Sequence, residues 1–263
     1  MDLSLKGKAV LVTGGNRGIG LVIAQAFAEE GADVAICGRD EAALEAARAS
    51  LVKHHVRAEA ISADLFTAEG CERAVSGAAD AFGQLDVLVN NASTNVSGSL
   101  ETQTDEKLME RVMGKTLAAM RCTRAAMPHL RASDQGRIIC IGGTSARAPA
   151  SDSLPSGLSN ASLVNFAKHY SLHAAPDGIT VNVVHPFFTK TERHTERLAA
   201  RAKDRGLSLE EAEASMAVGV PIGRMIIPAD IAPLVLFLAS VQASAVTGQT
   251  IAVDGGATPT VVY

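Results

Sequence analysis

Long apolar runs are missing from this chain of 263 residues. Even the stretch 231–239 is only helix-sized, well short of the ~18 residues that a membrane-spanning helix requires, so no membrane span is expected. Blocks of one charge are missing too. The 24 basic and 28 acidic side chains are interspersed and leave a net charge of -4, so no strong field draws the chain toward nucleic acid or an anionic membrane. Cysteine is scarce: Cys37, Cys71, Cys122 and Cys140 are scattered without C-x-x-C spacing, which argues against a disulfide framework. Met1-Asp2-Leu3-Ser4 leads toward a strand without an apolar targeting segment, and a cytoplasmic, disulfide-free protein is expected. Internal repeats and low-complexity tracts are lacking. His169 and His173 stand four apart on one helix, but no Glu lies between them and no third ligand is placed, so no metal is expected.

What is present is a 47% apolar composition with 23 Gly and 9 Pro spread along the chain, enough to bury one large core. Short apolar runs at 9–12, 34–36, 87–89, 138–141 and 179–184 alternate with longer stretches of helical periodicity at 19–30, 41–56, 108–130 and 158–173. Weaker strand signals lie at 58–63 and 250–253. This rhythm predicts an α/β fold: a single-domain Rossmann arrangement over 1–263, with a doubly wound parallel sheet of about seven strands and helices on both faces. In such a sheet the ligand sits beyond the carboxyl ends of the strands. The loops to examine are therefore 13–20, that at Asp64, 90–93, 142–145 and 186–191. The segment 191–217 is charged, Ala-rich and helical, broken at Gly206, and Ser208-Leu209-Glu210-Glu211 fits a capping box. It is expected to form a substrate-side lid, the alternative being a solvated helical hairpin.

After the first strand comes Thr13-Gly14-Gly15-Asn16-Arg17-Gly18-Ile19-Gly20. Gly14, Gly18 and Gly20 permit a tight turn and close approach of backbone N–H groups to a pyrophosphate, which the helix N-terminus favours. Asn16, Arg17 and Ile19 belong to the same cradle. The second strand ends at Cys37-Gly38-Arg39, with no acidic residue to accept from ribose hydroxyls, whereas Arg39 and Arg17 can both reach a 2′-phosphate. NADP(H) is therefore expected over NAD(H), unless both arginines are ordinary surface residues. Asp64 is placed to accept from the adenine amine, and Asn90 and Ala92 to line the inner side of the cofactor.

Together with Gly223-Arg224, Thr247-Gly248-Gln249 and Val253-Asp254-Gly255-Gly256, these motifs resemble the classical short-chain dehydrogenase/reductase family over nearly the whole chain. The resemblance implies a dimer or tetramer that reduces carbonyls or oxidises alcohols with a nicotinamide cofactor. It also implies a tyrosine as acid/base, a lysine four residues later, a serine that holds the substrate oxygen, and an asparagine that orders a relay water. This sequence departs at all four positions. Counting back from Pro128, Lys115 falls at the asparagine; Gly143 falls at the serine, with Thr144 and Ser145 next; Ser156 falls at the tyrosine and Asn160 at the lysine. Tyrosine itself is nearly absent. Tyr170 lies fourteen residues beyond Ser156, about 21 Å along a helix, and Tyr263 ends the sequence. Phe187 follows Pro186 where the family keeps a glycine beside the nicotinamide, and its ring could occupy that volume, leaving NADP(H) bound unproductively. Thr191 matches the family's threonine against the cofactor.

A serine hydroxyl is a poor proton donor beside a tyrosine, and Asn160 can hydrogen-bond but carries no charge. Lys115 brings new chemistry, since an amine in a dry cleft can act as base, Schiff-base nucleophile or anion holder, or merely balance charge. Lys115, Ser156, Thr144 and His185 form the candidate catalytic set. Arg147, Asp152 and Lys190 border the cleft. From these departures the chain, if an enzyme, is not expected to be a classical NAD(P)-dependent dehydrogenase. Lyase or hydrolase-type chemistry on a polar carbonyl compound is the main reading. A non-catalytic NADP(H)-binding or hetero-oligomer partner, and an NADP(H)-dependent oxidoreductase with a relocated acid, stand as alternatives.

Overall fold

The structure, a computed structural model, describes residues 2–94 and 98–260; Tyr263 lies outside the described residues. Seven strands form one sheet: β1 (Ala9–Thr13), β2 (Asp33–Gly38), β3 (Ala58–Ser62), β4 (Val87–Asn90), β5 (Arg137–Ile141), β6 (Thr180–Pro186) and β7 (Thr250–Val253). Their order is β3-β2-β1-β4-β5-β6-β7, and every pair is parallel. The order reverses between β1 and β4, which places the ligand crevice beyond their carboxyl ends. β1, β4, β5 and β6 are buried along their whole length, as expected of a sheet covered on both faces.

Six of the nine α-helices among the described residues cover those faces. α3 (Ala68–Phe82), α5 (Ala118–Ala132) and α6 (Leu154–Ala174) bury Cys71, Val75, Cys122, Leu130 and Leu163 on one side. α1 (Gly18–Glu29), α2 (Glu41–Leu51) and α9 (Pro228–Ala239) bury Ile23, Phe27, Leu44, Ile231 and Val235 on the other. α4 (Asp105–Val112) runs toward α5, while α7 (Glu192–Asp204) and α8 (Leu209–Val218) form a separate pair at the ligand end. Local chemistry sets the helix starts. Asp40, Thr67 and Thr191 each accept a backbone N–H in the first turn of α2, α3 and α7, and Ser208 and Glu211 close the capping box that opens α8. All four cysteines are free and buried. No helix of the described residues is long and apolar enough to cross a membrane.

Two helices differ from the sequence periodicity. The stretch expected at 41–56 is α-helical only to Leu51, then tightens through a 3-10 turn to His55, whose φ of 61° ends it. The stretch expected at 108–130 is two helices joined by a π turn at Met113–Leu117. A π turn inserts one residue into a helical turn, often at a functional site, and apolar spacing does not announce it.

The crevice is held at its base by Thr13. Its buried hydroxyl accepts from Asn91 N at 2.9 Å and Ala92 N at 3.0 Å and donates to Val89 O at 3.3 Å, tying the loops after β1 and β4 together. Replacement by valine keeps the shape and strands two backbone donors. Thr13→Val should lose about 2 kcal/mol in urea unfolding, while Thr13→Ser retains most of the stability; a valine variant as stable as the parent would refute this role.

Candidate active site

The turn between β1 and α1 is built for an anion. Gly14 and Gly18 adopt φ of 64° and 57°, conformations that L side chains rarely accept. A Cβ on Gly20 would lie 2.4 Å from both Asn91 Nδ2 and Gly14 O. Arg17 is the N-cap of α1 with an extended backbone, and no side chain caps the helix or places an acid in its first turn. The first-turn N–H groups therefore lack a side-chain cap, as a pyrophosphate site requires. Asn91 Nδ2 donates to Thr13 O and Gly14 O at 2.9 and 3.1 Å and fixes the turn from the β4 side.

The other expected cofactor residues surround this turn. Asn16 packs beside Gly38 at the end of β2, and Thr191 lies against Gly18. Arg39 is exposed and sits over the Phe66 ring at 5.7 Å. Asp64 Oδ1 accepts from Phe66 N at 3.2 Å. Asn90 is turned inward, donating to Thr123 Oγ1 at 3.2 Å, so it is Asn91 and Ala92 that face the loop after β1. Phe187 packs against the core cluster of α1 and α9 and meets Phe188 edge-on. Its ring is thus engaged with the core on that face.

The catalytic end centres on one peptide unit. The Gly142 carbonyl accepts from Lys115 Nζ at 3.1 Å, and the Gly143 N–H donates to His185 Nδ1 at 2.8 Å. Both glycines are required by their neighbours: a Cβ at 142 would stand 2.5 Å from His185 Nδ1, and one at 143 would stand 2.6 Å from Asn160 Nδ2. Asn160 in turn donates to Ser145 Oγ at 3.0 Å. The π turn brings Lys115 here, and Gly114 lets it approach, since a Cβ there would meet Thr94 and Phe66 at 2.5 and 2.8 Å.

Lys115 is only 5% exposed. Burial, then the charge of Arg111, holds its pKa down at about 7, with Cys140 opposing weakly. His185 is fully buried, and burial followed by Arg147 and Lys115 lowers its pKa to about 4. It is therefore neutral at physiological pH. Since Nδ1 accepts, the proton belongs on Nε2, which has no hydrogen-bond partner among the described residues. His185 and Thr144 share a cavity of about 300 Å³ with Arg147 and Asp254. Arg147 is held by the backbone carbonyl and hydroxyl of Thr250, and Lys190 pairs with Glu213 of α8 at 2.7 Å. Asp152 contributes its carbonyl to Gly98 N.

Sequence reasoning missed Arg111. Its guanidinium is 7% exposed and donates to Ser159 Oγ at 3.2 Å, Ser93 Oγ at 2.6 Å and Ser156 Oγ at 3.4 Å. Ser156, at the tyrosine position, is thus a partner of Arg111, while Lys115 is held by Gly142 O. The available signal was periodicity: Leu108, Arg111 and Lys115 share one helix face, so a cation occupies the stripe that should be apolar.

Comparison with known proteins agrees with this fold. A family model described as enoyl-(acyl carrier protein) reductase matches residues 14–258. A short-chain reductase, NovJ of Streptomyces niveus, is 34% identical, covering 94% of this chain and 92% of the relative. L-sorbose reductase from Gluconobacter frateurii, solved with NADPH and L-sorbose, superposes with a TM-score of 0.96 at 32% identity over 99% of this chain and 100% of that one. A short-chain oxidoreductase from Pseudomonas aeruginosa described as containing an atypical catalytic center matches with a TM-score of 0.91 at 28% identity over 98% and 99%.

These likenesses correct one expectation. The missing tyrosine set the chain apart from the classical NAD(P)-dependent dehydrogenases, yet the proteins it matches end to end are reductases of that kind, one of them holding NADPH. The chain belongs to the short-chain dehydrogenase/reductase family, as a divergent member that keeps the dinucleotide-binding site and has a rebuilt hydrogen-bond network at its catalytic end.

Proposed function

We propose that this protein is an NADP(H)-dependent oxidoreductase that interconverts a small polar carbonyl compound and its alcohol, with Lys115 as the relocated acid. The observation that carries this reading is the buried Lys115 Nζ, held by Gly142 O and pushed to a pKa of about 7. A donor is most effective when its pKa lies near the working pH. The likeness to a reductase solved with NADPH and a sugar supports the cofactor and the substrate class.

Gly14, Asn16, Gly18, Ile19 and Gly20 would hold the pyrophosphate, Arg17 and Arg39 the 2′-phosphate, and Asp64, Ala92 and Thr191 the remaining length. When bound, NADPH supplies a hydride. The chain supplies the proton: Lys115 Nζ–H passes it to the substrate oxygen, and the neutral amine stays anchored on Gly142 O until solvent reprotonates it. His185, neutral throughout, fixes the peptide that positions Lys115. The pair α7 and α8 is the substrate-side cover, fastened by Lys190 and Glu213.

Reduction needs protonated Lys115, so kcat should fall as pH rises through about 7. Lys115→Met should lower kcat about 100-fold or more with NADPH affinity little changed. Loss of NADPH absorbance with a panel of ketoses and hydroxyketones reads both. A methionine variant that reduces at the parent rate, or a parent that reduces none of the panel, would overturn the assignment.

The same group links pH to stability. Its folded pKa of about 7 lies below the ordinary 10.5, so between those values the unfolded chain binds the extra proton and stability rises with pH. Below about 7 the full penalty applies. Urea midpoints should climb from neutral to alkaline pH more steeply in the parent than in Lys115→Met; parallel curves would contradict a depressed pKa.

Arg17→Ala and Arg39→Ala should each weaken NADPH binding roughly tenfold, the worth of a charge-assisted hydrogen bond. NADH binding should not change. Equal losses for both cofactors, read by calorimetric titration, would remove the arginines as phosphate readers.

A further inference from the structure

Arg111 and Lys115 form a buried pair of cations one helical turn apart, and among the described residues neither has a carboxylate within ion-pair distance. The acids nearest in sequence, Asp105, Glu106 and Glu110, are exposed. Burial alone lowers the pKa of Arg111, to about 10, with no acidic group drawing it back up. It therefore stays charged at neutral pH. Removing a guanidinium from water is costly, and an opposite charge with good geometry is what normally offsets it. Here, among the described residues, its hydrogen bonds go to three serine hydroxyls.

Those hydroxyls are not equivalent. Ser93 Oγ donates onward to Thr94 O at 3.0 Å and Ser159 Oγ to Ser156 O at 3.2 Å. Ser156 Oγ accepts from Arg111 and has no acceptor of its own among the described residues. A guanidinium carries five N–H donors in a planar fork, and the three serines use one each. Two N–H groups and the Ser156 O–H are left to donate, a set that matches the two oxygens of a carboxylate.

We propose that Arg111, together with the Ser156 hydroxyl, binds the carboxylate of a short oxo acid whose carbonyl faces Lys115. This rests on the reductase reading above and names its substrate class. Arg111, at the end of α4, and Lys115, in the π turn that follows, are four residues apart on one continuous helical path, an arrangement that suits a short substrate with its carboxylate close to its carbonyl. The reaction balances as before: the ketone carbon receives the hydride from NADPH, the ketone oxygen receives the Lys115 proton, and the carboxylate is unchanged. Ser156 thereby has a recognition role at the position where the family resemblance implies the acid.

The test uses the full chain with NADPH and two matched pairs, acetoacetate against acetylacetone and 2-oxobutanoate against 2-oxobutanamide. The parent should prefer at least one acid over its neutral partner in kcat/KM by at least about thirtyfold. Arg111→Met should erase that preference, read as the ratio of the two kcat/KM values within the one variant, and Arg111→Lys should restore part of it. Malonate, which cannot be reduced, should bind the parent in calorimetry, several-fold more weakly to Ser156→Ala, and not detectably to Arg111→Met. Removing an unpaired buried charge should leave the methionine variant folded, and Ser156→Ala gives a milder check.

A parent that reduces acids and neutral partners equally refutes the carboxylate site and leaves the reductase reading standing. If no carbonyl is reduced, the reductase reading fails, and the malonate titration alone decides: binding lost in Arg111→Met keeps the anion site, and no binding to the parent ends it.

Discussion

The catalytic end depends on the peptide unit between Gly142 and Gly143. Its carbonyl anchors a buried amine and its N–H anchors a buried imidazole, so one rigid plane fixes Lys115 and His185 together. The parallel register of β5 with β6 sets that plane, pairing Ile141 with Val184 just before the strands end. The fully buried His185 leaves no space for a side chain at 142, and Asn160 leaves none at 143. The absence of a serine at 143 thus follows from where Asn160 stands.

Charge explains the rest of the pattern. Lys115 and Arg111 already place two basic groups where neither has a carboxylate partner among the described residues; burial lowers the pKa of both, and the charge of Arg111 lowers that of Lys115 further. A third cation at 160 would add repulsion in a medium where it is poorly screened. Asn160 instead bridges to Ser145. In the proposed reading the acid sits on the neighbouring helical segment, and its pKa is lowered first by desolvation and then by the charge of Arg111.

Much of the fold was legible in the sequence. The apolar runs mark the strands to within a few residues, and the glycine turn, the Ser208 capping box and the Asn91-Ala92 loop behave as their local chemistry dictates. The site was legible only where backbone geometry demands a residue type, as at Gly14 and Gly18. Lys115 could be singled out by its position, but its burial depends on a π turn that no periodicity records, and its contact with Gly142 spans two distant segments. Arg111 was hidden because its partners are three serines, one from the loop after β4 and two from α6. The absent tyrosine weighed too heavily for the same reason: a lost side chain is visible in a sequence, whereas a hydrogen-bond network rebuilt across several elements is not.

The direct test of the account is the titration of Lys115 itself, by NMR of lysine side chains labelled with carbon-13 in the NADPH complex, the signal assigned by its loss in Lys115→Met. The predicted midpoint is near the value of about 7 set chiefly by burial. A Lys115 that stays protonated up to the ordinary 10.5 would contradict its role as the proton donor at neutral pH.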